Sequence, residues 1–194
     1  DTALYKIMQC ADIKQRNFFG RTRQADSRYS SRNIKITEVK KMKIMVINGP
    51  NLDFLGIREP GVYGTQTYSD LEKKIETHAE DMGIETVVMQ SNSEGDIIDY
   101  IHYARGNYDG IIINPGPEHT KNSYAIADAL RAFSLPTVEV HISNIHKREK
   151  FRHKSVTAPQ CIGQICGLGF SGYTLAMDFL IGYITDTADD GGEE

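Results

Sequence analysis

From Lys43 onward, short apolar runs alternate with amphipathic stretches of helical period, which restricts this part of the chain to a parallel sheet wrapped by helices. Lys43–Asn48 (KIMVIN) is apolar and rich in β-branched residues, as a buried strand requires. Residues 86–89, 110–113, 137–140 and 161–166 predict four further strands. Between them, residues 69–82 put Leu71, Ile75, Ala79 and Met82 on one helical face. Ser69 and Glu72 are spaced as a capping box, and Gly83 supplies the stop. Ser93 can cap a helix reaching Asn107, with Ile97, Ile98, Ile101 and Ala104 inward. Residues 123–133 and 172–183 predict the last two helices.

The expected fold class is α/β, flavodoxin-like: a five-stranded parallel sheet in the order 2-1-3-4-5 with helices on both faces. Ligands of such sheets sit beyond the carboxyl ends of the strands. Attention therefore falls on the residues after Asn48, Gln90, Asn114, Val140 and Cys166.

Charge divides the chain at the same point. Residues 1–41 hold ten Lys/Arg against four Asp/Glu, so the remainder carries about −10 beneath a whole-chain net of −4. A domain that acidic is a poor phosphate binder, so no nucleic-acid partner is expected. Residues 1–41 lack periodicity and read as a basic, disordered leader; residues 42–184 read as the folded α/β domain; residues 185–194 read as an acidic, disordered tail. The first residue is not Met, which reads as a start that is processed, truncated or misassigned. No apolar run approaches a membrane span and no secretory signal opens the chain. The three cysteines form neither a disulfide framework nor a zinc spacing, and a reduced, cytoplasmic setting is the plain reading.

The segment after the first strand, Asn48-Gly49-Pro50-Asn51 and on to Gly64, is long and punctuated by glycine. It carries Arg58 and Tyr63, and a guanidinium beside a phenol favours the phenolate, a usable base. The same spacing also fits a surface loop with Tyr63 packed on its rim. Past the fourth strand, alternation puts Glu139, His141 and Ser143 on one side, where a carboxylate can fix the charge and tautomer of a histidine. A structural histidine beside a strand-end carboxylate is the competing reading. Asn114, His119 and Thr120 follow the third strand as partners for a hydroxylated ligand, while Asp128 reads as an exposed helix residue or one reaching a neighbouring subunit. Gly167-Leu168-Gly169-Phe170-Ser171-Gly172 matches a dinucleotide fingerprint, but the chain continues for one helix only. We read these glycines as allowing close strand–helix packing, and keep a nucleotide or flavin binder as a third hypothesis.

Taken together, Asn48-Gly49-Pro50-Asn51, Leu55-Gly56, Arg58-Glu59-Pro60, Tyr63-Gly64 and Glu139-Val140-His141-Ile142-Ser143-Asn144 resemble the signatures of the type II 3-dehydroquinate dehydratases. Phe151-Arg152, Ser155 and the stretch from Gly163 to Gly172-Tyr173 continue the resemblance in order, over about residues 42–184. It implies dehydration of 3-dehydroquinate to 3-dehydroshikimate through an enolate, without cofactor, in the shikimate pathway or in quinate breakdown. By the same resemblance Tyr63 is the base, Arg58 holds it ionised, and His141 is the acid. Asn51 places a water near the enolate and Glu139 orients its neighbours. Asn114, His119, Ile142, Ser143 and Arg152 hold the substrate, and Asp128 reaches an adjacent subunit of a trimer that assembles into a dodecamer. The chain departs from the pattern between Asn114 and Asp128, which is one residue longer than usual, and Glu118 brings a carboxylate towards an anionic substrate. That departure motivates the alternative of an inactive binding or scaffold protein.

Overall fold

The computed structural model describes residues 41–57 and 65–190. Residues 1–40 of the expected leader, Arg58, Tyr63 and residues 191–194 lie outside the described residues.

Five strands form one parallel sheet: β1 (Lys43–Asn48), β2 (Glu85–Gln90), β3 (Gly110–Asn114), β4 (Thr137–His141) and β5 (Gly163–Cys166). Their spatial order is β2-β1-β3-β4-β5, the flavodoxin-like order expected. The helices are α1 (Tyr68–Asp81), α2 (Glu94–Ala104), α3 (Gly116–Asn122), α4 (Tyr124–Phe133) and α5 (Ser171–Asp190). In register, Val46 lies beside Val88 and Ile112, and Ile112 beside Val138. Those side chains join Leu71, Ile75 and Ala79 of α1 and Tyr173, Ala176, Met177 and Leu180 of α5 in one buried core. The alternate residues Met45, Ile47, Ile111 and Ile113 are equally buried on the other face, where α2 packs with α4.

Three boundaries differ from the sequence reading, each for a local reason. Helix α1 is capped by Thr67 with Asp70, not by Ser69 with Glu72; both pairs have capping-box spacing, and the first satisfies the earlier turn. Helix α3 occupies a stretch read as a loop, because Pro115 and Pro117 sit at a helix start, where a missing N–H costs nothing. Helix α5 runs to Asp190 instead of stopping near Tyr183, so residues 185–190 of the expected disordered tail are helical. Ile181 and Ile184 pack on the core, and Thr185 and Thr187 donate to carbonyls one turn back.

No helix among the described residues is long and apolar enough to cross a membrane. Among the same residues no cluster of His, Cys, Asp or Glu is placed to hold a metal ion.

Candidate active site

The loops leaving β1 and β3 are locked together beyond the sheet. Gly49 N–H donates to the Asn114 carbonyl at 2.8 Å. A Cβ on Gly49 would lie 2.4 Å from the Pro115 carbonyl oxygen, so only glycine permits this approach. Gly116 turns the chain with φ +73°, and a pocket opens between the two loops.

A buried polar network forms the floor beside it. Tyr173 donates its hydroxyl to Asn48 Oδ1 at 2.8 Å and accepts from Asn114 Nδ2 at 2.9 Å. Asn48 Nδ2 also reaches the Tyr68 hydroxyl at 3.4 Å. Burial pushes both phenols well above the ordinary tyrosine value, so each stays a neutral donor and neither suits proton abstraction. Sequence reasoning missed Asn48, Tyr68 and Tyr173 as a unit, since Asn48 and Tyr173 are 125 residues apart.

The end of β4 supplies the acid–base pair. Glu139 is fully buried and lies 2.8 Å from Nε2 of His141. Its carboxylate also accepts from Gln164 Nε2 at 2.6 Å, from Ser155 Oγ at 3.1 Å and from Thr157 Oγ1. Burial pushes this carboxyl up, but the His141 hydrogen bond and charge, with the Thr157 and Gln164 donors, outweigh it and hold it below the usual range. An acceptor-only carboxylate fixes a proton on Nε2, leaving Nδ1 as the ring nitrogen that can exchange a proton with a ligand. The roles of Thr157 and Gln164 were not read from sequence. A glutamine inside a short edge strand was the available signal, because Gln164 pairs in register with Glu139. Cys161 offers no nucleophile: burial, with the charge of Glu139, pushes its thiol up to about 12.

The pocket has about 690 Å³ of non-atom space, part of it open to solvent. It brings together Asn51, Asn114, His141, Ile142, Ser143 and Arg152, six of the residues singled out in the sequence. Asn51 holds a left-handed φ of 65° and donates its N–H to Asn92 Oδ1 at 2.8 Å. Arg152 stacks on Phe151 at 4.9 Å, with its Nε 2.7 Å from Glu149, so its terminal nitrogens remain for a ligand. Thr120, read from the sequence as a partner for a hydroxylated ligand, lines the pocket as well; Leu52, Leu55 and Ile145 also line it, and the sequence had not marked them as binding residues.

Three residues lie elsewhere. Glu139 stands behind His141 and off the lining. His119 is on α3 but not on the lining, and its buried Nε2 has no partner among the described residues. The extra residue in this stretch winds into α3 and puts Thr120 on the wall instead. Asp128 is exposed on α4, 2.6 Å from Arg131. Arg58 and Tyr63 lie outside the described residues, but the feet of their segment are tied to the pocket. Phe54 and Leu55 line it, and a Cβ on Gly56 would come within 3.1 Å of the Thr65 carbonyl. Two of the fingerprint-like glycines serve packing: a Cβ on Gly172 would meet Val140 at 3.2 Å, and one on Gly167 would meet Asn144 at 2.8 Å, whereas Gly169 holds a turn at φ +59°.

Comparison with known proteins agrees with this geometry. Residues 42–181 match the family described as dehydroquinase class II. A 3-dehydroquinate dehydratase of Clostridium acetobutylicum is 58% identical over 139 residues, covering 72% of this chain and 96% of the relative. One from Clostridium perfringens is 57% identical over 144 residues, covering 74% and 98%. The crystal structure of a type II dehydroquinase from Butyrivibrio crossotus aligns with TM-score 0.71 at 52% identity, covering 73% of this chain and 98% of that one. By its sheet order, its strand-end pocket and these matches, the chain belongs to the class II dehydroquinase family.

Proposed function

We propose that this protein dehydrates 3-dehydroquinate to 3-dehydroshikimate, with Tyr63 as base and His141 as acid. The observation that carries the reading is the buried Glu139–His141 pair at the mouth of β4, in a pocket that also holds Asn51, Asn114 and Arg152. Tyr63 takes the proton beside the substrate ketone, and Arg58 keeps the phenol ionised. The electrons move onto the carbonyl oxygen, where an enolate forms; Asn51 holds an ordered water against that charge. The enolate then collapses as the β-hydroxyl leaves. Hydroxide is a poor leaving group, so His141 gives it a proton from Nδ1 and water departs. Glu139 stabilises the imidazolium before transfer and keeps the ring oriented. Asn114, Ser143 and the Ile142 backbone hold the hydroxyls, while the planar Arg152 guanidinium takes the carboxylate by paired hydrogen bonds.

His119 enters this reading as a substrate-binding residue although it stands off the lining, and Asp128 as one that reaches the site of an adjacent subunit. The assembly is a trimer that builds into a dodecamer, working in the cytoplasm. The inactive-scaffold alternative rested on the altered loop and Glu118. Glu118 is exposed, bonded to Asn122 at 2.7 Å and absent from the pocket lining, so its carboxylate makes no contact inside the pocket. The test is to supply 3-dehydroquinate and follow the ultraviolet absorbance of the conjugated product. Absence of product from folded protein at high concentration would overturn the reading.

A further inference from the structure

Outside residues 1–41 the chain carries about −10, yet two segments at the pocket rim bring cations together, one of them with a net charge of +3. One is α3, which supplies Gly116, Pro117 and Thr120 to the wall and carries Lys121. The other runs from Ile145 to Arg152; both its ends line the pocket, and Lys147, Arg148 and Lys150 lie between them. The carboxylates in these two segments are Glu118, engaged with Asn122, and Glu149, engaged with Arg148 and Arg152. The segments meet at one aromatic ring. Lys121 Nζ lies 5.9 Å from the Phe151 centroid, and the Arg152 guanidinium lies 4.9 Å from the same centroid. Phe151 thus holds a second cation beside the arginine that faces the pocket. Lys147 and Lys150 are exposed, and neither makes an ion pair among the described residues.

We propose that Lys121, held against Phe151 beside Arg152 and reinforced by Lys147 and Lys150, forms a cationic rim that draws the anionic substrate into the pocket. The inference rests on the function proposed above, which makes the substrate a carboxylate. A low-dielectric cleft with a rim of one sign concentrates ligands of the other sign and speeds their capture. Such a rim acts through space on the approaching anion, so it changes capture and leaves the chemical step alone. Its contribution fades as salt shortens the screening length from ~10 Å at 0.1 M to ~3 Å at 1 M.

The test measures kcat and kcat/KM against ionic strength for the full-length protein, Lys121→Met, Lys121→Arg and Lys147→Ser/Lys150→Ser. For one exposed rim charge removed at roughly 5–10 Å from the approaching anion, Coulomb's law at a water-like dielectric gives a fall in kcat/KM of about two- to fourfold at low salt. We expect Lys121→Met to show that fall with kcat retained, and to converge on the wild type near 1 M salt. Lys121→Arg should keep the wild-type salt slope, and the double variant should flatten it. A loss in Lys121→Met that salt does not erase, a loss that appears in kcat, or an unchanged salt slope in both neutralised variants would overturn the inference. A wild type with no turnover at any salt would instead overturn the proposed function, so the two failures are distinguishable.

Discussion

Tyr173 ties the last helix to the floor of the pocket through its hydroxyl, so Tyr173→Phe isolates that hydroxyl with the ring left in place. The ring is fully buried, and its two partners are nearly so, with Asn48 at 0% and Asn114 at 4% exposure. Phenylalanine opens no cavity, but it strips Asn48 Oδ1 of its donor and one Asn114 N–H of its acceptor. A buried polar group left unpaired costs about 1–3 kcal/mol. Relief from burying the phenol hydroxyl offsets part of two such costs, leaving a net loss of about 2 kcal/mol. Tyr68→Phe is the matched control, because it removes one long contact of 3.4 Å from a network otherwise intact. That variant should lose less than about 1 kcal/mol. Urea unfolding at fixed protein concentration reads both: the midpoint should fall clearly in Tyr173→Phe with the slope m unchanged. Asn114 lines the pocket, so the same variant should also raise KM. A Tyr173→Phe protein no less stable than Tyr68→Phe would refute the account of the floor as a satisfied buried network.

Glu139→Gln should lower turnover sharply and destabilise the fold, since it removes a buried acceptor of several donors; turnover within twofold of wild type would contradict the role given to the pair. Its carboxyl is held low in the fold, so its ionised form favours folding above the ordinary glutamate value of about 4.3. That contribution is lost as pH falls through the lower folded value, and stability measured from pH 7 into acid should fall less steeply in Glu139→Gln than in wild type. Gly49→Ala should destabilise by about 2 kcal/mol or more, because the new methyl meets backbone at 2.4 Å and not a movable side chain; unchanged urea unfolding would refute the close approach of the two loops. Arg152→Lys should raise KM about tenfold or more while kcat falls less, a split that steady-state kinetics reads directly; an unchanged KM would remove Arg152 from carboxylate binding.

The sheet was legible because its strands are nearly pure apolar runs: every residue of β3 is buried, and Ile111, Ile112 and Ile113 face two helical layers. Alternation and handedness predicted a parallel sheet, and the flavodoxin-like assignment supplied the order that the structure shows. Local ambiguity hid more. Two overlapping capping boxes start near Thr67, and a string of proline and glycine reads equally as a loop or as the opening of α3. On the pocket, Asn114, His141 and Ser143 could be named because strand ends point at ligands, whereas Asn51, Ile142 and Arg152 could be named only through the family resemblance. Tyr173 could not, since its role exists only once α5 has packed across the carboxyl ends of β1 and β3. The same holds for Thr157 and Gln164, which matter only through the Glu139 carboxylate that they surround.

The central claim is that Tyr63 and His141 remove and deliver protons in a dehydration. The most direct measurement compares the rate of conjugated-product formation from 3-dehydroquinate in wild type, Tyr63→Phe and His141→Ala, all at saturating substrate. The account predicts steady turnover in the wild type and a fall of about 10²–10⁴ in each variant, as the loss of a general acid or base entails. Turnover in Tyr63→Phe close to that of the wild type, or no product from the wild type itself, would contradict it.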